Sequence, residues 1–146
     1  MKPTTPSGVI RTGSIVLVLG LLAFLWSSSR GGGGAQRFLD VKMKDFAIKA
    51  PTRTATGDLV LRVTNAGPET HELLLVRVDS RRLPLRGDNL TVDEDKLEPH
   101  TLARLEQVEP GSLRTWRLQL APGRYTLFCN MSGHYLGGMH RKLIVR

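Results

Sequence analysis

The chain has 146 residues, room for one domain of ordinary size. Its single cysteine excludes a disulfide framework and a thiolate-bridged dinuclear copper centre, and its four histidines (His71, His100, His134, His140) are too few for a multicopper oxidase. The formal net charge of +8 suits an acidic partner or anionic lipid and reads at least as well as a solubilising surface, whereas scattered basic residues without interleaved aromatics argue against nucleic acid.

Residues 1–26 begin polar, with Lys2 and Arg11, and continue as the uncharged run 15–26. As a helix that run spans ~18 Å, short of the roughly 30 Å hydrocarbon core. Extended back to Val9 it spans ~27 Å, with Arg11 placed to snorkel and Trp26 at the far interface. Two readings stay open: a secretory signal peptide cleaved after Ser29 or Ala35, and an uncleaved membrane anchor. The lack of a clean Ala-x-Ala site favours the anchor. Either way, positive charge ahead of the apolar run puts the rest of the chain outside the cytoplasm. Residues 27–36, rich in Ser and Gly, form a flexible linker, either a plain spacer or a tether that lets the domain swing between membrane partners.

The pattern turns to β in the domain 37–146. Residues 38–48 alternate, with Val41, Met43, Phe46 and Ile48 on apolar faces. A polar turn region at 51–57 leads to a strand over 58–64 and the turn Asn65-Ala66-Gly67-Pro68. Another strand covers 72–78, with His71 at its start, where a ligand is held by the sheet yet reaches the rim. Residues 79–110 are charged but carry spaced Leu and Val. They read as a flap over one side of a sandwich, with a short element near 102–108. The run Asp93-Glu94-Asp95 reads as a solvated face, since it lacks the spacing and Gly of a calcium loop. Residues 112–120 alternate so that Trp116, Leu118 and Leu120 face the core. Ala121-Pro122-Gly123 turns into a strand over 124–129, and 141–146 closes the sheet. Short strands with turn signals between them predict an all-β sandwich.

The chemistry gathers in Phe128-Cys129-Asn130-Met131-Ser132-Gly133-His134-Tyr135-Leu136-Gly137-Gly138-Met139. Alone, Cys129 reads as a small buried hydrophobe, His134 as a surface residue and Met139 as core. Together, thiolate, imidazole and thioether at Cys-x4-His-x4-Met are the soft and borderline donors that suit copper. Glycines in the loop permit the tight backbone that would bring them to one point. Coordination would also occupy a thiol otherwise exposed to oxidation. A trigonal site needs a second histidine, and His71 is the candidate. His140 directly follows Met139 and points the other way in an extended chain, and His100 lies in the flap region.

On Asn65-x5-His71, Ala121-Pro122-Gly123-Arg124-Tyr125-x3-Cys129-x4-His134-x4-Met139 and Leu143-Ile144-Val145, the span 38–146 resembles the cupredoxins, single-domain blue copper proteins of the plastocyanin, azurin and sulfocyanin kind. The loop spacing is nearest the sulfocyanin-like members. The resemblance implies a Greek-key β-sandwich, here behind an N-terminal hydrophobic helix. It implies one type 1 copper per chain, bound by His71, Cys129 and His134 with Met139 axial. It further implies electron transfer through the edge of His134, inside an apolar patch of Tyr135, Leu136 and Gly137. Arg124, Arg141 and Lys142 nearby in sequence would favour an acidic partner. One departure is Glu72, where several members carry an Asn that supports the thiolate; it could alter the surroundings of the metal and hence the potential, but reads first as a solvated acid at a strand start. The expected function is a non-enzymatic one-electron carrier between extracytoplasmic redox partners, membrane-associated and reached from a membrane anchor or as a secreted domain. A copper carrier or buffer without a redox partner is the alternative. An enzyme such as a copper nitrite reductase would need a second copper site, for which no histidines are left.

Overall fold

The computed structural model describes residues 35–80 and 82–146, so the expected N-terminal helix, with its cleavage or anchoring, lies outside the described residues. The strands are β1 (Phe38–Lys44), β2 (Ala47–Lys49), β3 (Arg53–Thr54), β4 (Gly57–Asn65), β5 (His71–Val76), β6 (Thr101–Val108), β7 (Leu113–Leu120), β8 (Gly123–Phe128) and β9 (His140–Val145). One sheet has the order β2-β1-β4-β7 and the other β3-β9-β8-β5-β6. Both are mixed: β1 runs parallel to β4, and β3 parallel to β9. The all-β sandwich expected from the strand pattern is what the chain forms. Among the described residues, no helix is long and apolar enough to cross a membrane.

Side-chain parity places the core. On β1, Leu39, Val41 and Met43 point inward while their neighbours are exposed. They meet Leu59, Leu61 and Val63 of β4, and Leu73, Leu75, Tyr125, Leu127 and Leu143 from the facing sheet, in one buried cluster. Strand β5 reads as a continuous apolar run after Glu72, and both it and β8 from Tyr125 on are buried on both faces. Their other face, with Leu74, Val76 and Phe128, is covered by Leu83, Val92 and Leu97 of the flap and by Tyr135. Residues 79–97 are therefore the expected cover, and β6 supplies the expected element near 102–108.

Two expectations need correcting. Phe46 does not lie on a strand face: β1 ends at Lys44, and Phe46 occupies the tight β1–β2 turn at φ 55 with its ring exposed. Trp116 has the inward parity but is 43% exposed. It sits on β7, which ends its sheet, so no further strand covers it.

The turn that leads into β5 is organised by Asn65, which is fully buried. Its Nδ2 donates to the carbonyls of Glu69 (2.6 Å) and Val108 (2.8 Å), and its Oδ1 accepts from Gly67 N–H (2.9 Å). Asn65→Ala would leave these backbone groups unpaired beside the cavity it opens. A loss of about 2–3 kcal/mol in urea unfolding is expected; a loss below about 0.5 kcal/mol would mean that the turn does not depend on this side chain.

Candidate metal centre

The centre lies at one end of the gap between the sheets. His71, Leu73 and Leu75 alternate onto the inner face of β5, and Tyr125, Leu127 and Cys129 onto the inner face of β8 and its extension. Antiparallel pairing of Leu74 with Phe128 brings His71 and Cys129 close. A register shift between His71 and Leu73 interrupts the ladder with β6 at this point, as bulges near functional sites do. The loop then folds back. His134 N–H donates to the Met131 carbonyl (2.9 Å), Met139 N–H to the His134 carbonyl (2.9 Å), and Cys129 N–H to the Met139 carbonyl (3.1 Å). Gly133 (φ 77) and Gly138 (φ 99) take backbone conformations that an L side chain resists.

One ligand atom each from His71, Cys129 and His134 lies within 4.8 Å of the others. Cys129 Sγ is 3.5 Å from His134 Nδ1, and the two imidazoles are 5.3 Å apart at 63°. His71 and Cys129 are fully buried. Neither ring nitrogen of His71 has a hydrogen-bond partner among the described residues, an arrangement that a metal-binding nitrogen would explain. Two nitrogens and one sulfur in a buried triangle fit copper as a donor set. Met139 is fully buried in the same apolar cluster as Cys129. His100 and His140 do not join the group. His140 packs its ring 5.0 Å from Tyr135, and His100 lies in the short 3-10 helix Glu98–His100, where its carbonyl accepts from Arg77 N–H beyond the other end of β5.

The electrostatics follow from burial. Burial pushes the Cys129 thiol pKa up, opposed by hydrogen bonding from the backbone of Glu72 and Met131. Burial pushes His71 down, with a further push from His134. Glu72 is no fully solvated acid: burial and then Glu94 hold its pKa up, while the Asn130 backbone N–H pulls it down. Asn130 binds the flap to the ligand loop. Its Oδ1 accepts from Val92 N–H (2.5 Å), and its Nδ2 donates to Val92 O (3.0 Å) and Glu94 Oε1 (2.6 Å).

Tyr135, expected in the exposed patch around His134, is instead buried under the flap, where its hydroxyl accepts from Leu83 N–H (2.9 Å). Sequence reasoning missed the β1–β2 turn altogether. Asp45 Oδ1 stands 3.6 Å from His71 Nε2, and the Phe46 ring lies 5.0 Å from that of His134. A break in the apolar alternation at Lys44-Asp45 was the only local signal.

No protein-family model and no curated protein matches this sequence. Solved structures do. Reduced auracyanin from the photosynthetic bacterium Roseiflexus castenholzii matches with TM-score 0.56 at 19% identity, over 77% of this chain and 99% of its own. Auracyanin A, a "blue" copper protein from the green thermophilic photosynthetic bacterium Chloroflexus aurantiacus, matches with TM-score 0.53 at 17% identity, over 75% and 99%. Rusticyanin from Thiobacillus ferrooxidans matches with TM-score 0.52 at 14% identity, over 77% and 79%. The chain thus has the cupredoxin fold that its motifs resemble.

The burial shifts predict how stability of the metal-free protein varies with pH. His71 has a lowered pKa in the fold, so below about pH 6.5 the unfolded chain binds the extra proton first and stability falls. Cys129 has a raised pKa in the fold, so above about pH 8.5 the unfolded chain ionises first and stability falls again. Urea midpoints at pH 5.5, 7.5 and 9.5 should peak at 7.5. His71→Asn should flatten the acid limb and Cys129→Ser the alkaline limb; limbs unchanged in these variants would refute the assignment.

Proposed function

We propose that the chain is a type 1 copper protein that carries single electrons between extracytoplasmic redox partners. The observation that carries this reading is the buried triangle of His71, Cys129 and His134, whose ligand atoms lie within 4.8 Å of one another at the end of the sandwich. Its likeness to a fold that houses "blue" copper in auracyanin A adds support. His71, Cys129 and His134, with the Met139 thioether as a further donor, would hold the copper, which would supply a Cu(II)/Cu(I) couple. The chain's own part is to hold the donors still. His71 is fixed by the β5 sheet, Cys129 by the extension of β8, and His134 by the hydrogen-bonded loop.

His134 is the candidate ligand that reaches solvent, its side chain 12% exposed where His71, Cys129 and Met139 are fully buried. Exposed Met131 and Leu136 lie in its own loop, and exposed Phe46 stacks beside it. An apolar rim of this kind suits brief docking, and His134 is then the side chain through which electrons enter and leave. Glu69 adds one acid, 3.9 Å from His134 Nε2. Arg124 does not belong to this end: it is paired with Asp79 (3.4 Å) at the start of β8, roughly 17 Å along the strand from Cys129. Recognition of an acidic partner would rest on Arg141 and Lys142, early in β9. The basic start and apolar run of the N-terminal sequence support a place outside the cytoplasm, next to a membrane. A copper buffer would use the same donors, but full burial of His71 and Cys129 opposes quick hand-over and favours electron transfer.

Titration of the full chain with Cu(II) tests the reading. An intense thiolate-to-copper absorption band should saturate at one equivalent and vanish in Cys129→Ser. A weak spectrum, identical in the two proteins, would rule the function out.

A further inference from the structure

Among the described residues, His71 keeps two buried ring nitrogens without a hydrogen-bond partner, and Asp45 Oδ1 is a third buried orphan. Two of these atoms, Asp45 Oδ1 and His71 Nε2, face each other at 3.6 Å. We propose that Asp45 is a positioning residue for His71: its Oδ1 accepts a hydrogen bond from Nε2–H, which leaves Nδ1 as the nitrogen that binds the metal. The proposal rests on His71 being a ligand, as in the function proposed above.

The physical case has three parts. First, buried polar atoms seek partners, and 3.6 Å is a few tenths of an ångström beyond a good bond, a gap that a small rotation of the carboxylate or the ring closes. Second, a histidine that ligates a metal through one nitrogen generally donates its other N–H to a carboxylate or carbonyl. That bond fixes the tautomer and the ring angle and raises the basicity of the ligating nitrogen.

Third, the carboxylate has a cradle. A Cβ at Gly67 would stand 2.6 Å from Asp45 Oδ1 and 3.3 Å from the Asp45 nitrogen, so only glycine leaves room for the side chain here. Gly67 is tied down by its N–H to Asn65 Oδ1 (2.9 Å), and Ala66 N–H donates to the Met43 carbonyl (2.8 Å). The turn that carries Asp45 therefore docks on the turn that leads into His71. The next residue, Phe46, braces the second imidazole: its ring packs against His134 and over Gly137, where a Cβ would strike it. A left-handed backbone at φ 55, rarely adopted by phenylalanine, aims the ring there.

The experiment is nitrogen NMR of the histidine rings in the full chain, metal-free at neutral pH and again loaded with Cu(I), which is diamagnetic. Wild-type His71 should be the Nε2–H tautomer. Asp45→Asn, which keeps an acceptor oxygen, should retain it. Asp45→Ala should lose that preference and, when loaded, exchange the His71 Nε2 proton with water at least tenfold faster. Gly67→Ala keeps the charge but displaces the carboxylate, and it should behave like Asp45→Ala. An Nδ1–H tautomer in the wild type, or an unchanged tautomer and exchange rate in Asp45→Ala, would overturn the proposal. Failure of every protein to take up Cu(I) would defeat the copper function, while the metal-free spectra would still decide the role of Asp45.

Discussion

The pairing of β5 with β8 is the constraint on which the centre depends. With Leu74 opposite Phe128, the inward parity of both strands puts His71 and Cys129 at the same end of the gap between the sheets. A slip of one residue would turn one of them to the other face of its strand and abolish the group. Both faces of β5 are packed, Leu73 and Leu75 against the facing sheet and Leu74 and Val76 under the flap, so slippage would also break both sets of contacts. Hydrophobic burial and ligand geometry thus enforce the same register.

Polar contacts then adjust what the sheets place. Asn65 closes the turn before His71, Asn130 ties the loop after Cys129 to the flap, and Met139 returns its carbonyl to the Cys129 amide. The opposite sheet contributes through the β1–β2 turn, where Asp45 faces His71 and Phe46 faces His134. Side chains held from several directions have few alternative rotamers. That would suit the proposed electron transfer, which asks for little movement between two oxidation states. Burial also keeps water from the thiol and from His71, and leaves His134 as the member of the group that reaches solvent.

Much of this was legible in the sequence because it depends on local pattern. Turn residues and apolar runs located β4, β5, β7, β8 and β9, and Cys-x4-His with His71 gave three residues that converge. What escaped depends on tertiary context. Period-two alternation resumes just after its break at Lys44-Asp45, so Phe46 read as part of a strand. Parity gives the face of Trp116 but cannot say that β7 is an edge. Tyr135 sits in the ligand loop yet is drawn under the flap by Leu83 and Phe128. The two-residue β3 read as a polar turn, because its pairing with β9 leaves no hydrophobic pattern.

The fold sets the positions of His71, Cys129 and His134 before any metal arrives. Crystal structures of the protein without metal and loaded with copper test it most directly. His71, Cys129 and His134 should keep their rotamers, with their donor atoms already within 4.8 Å of one another in the metal-free form. A metal-free structure with His134 or Cys129 swung away, or copper bound without these three residues, would contradict it.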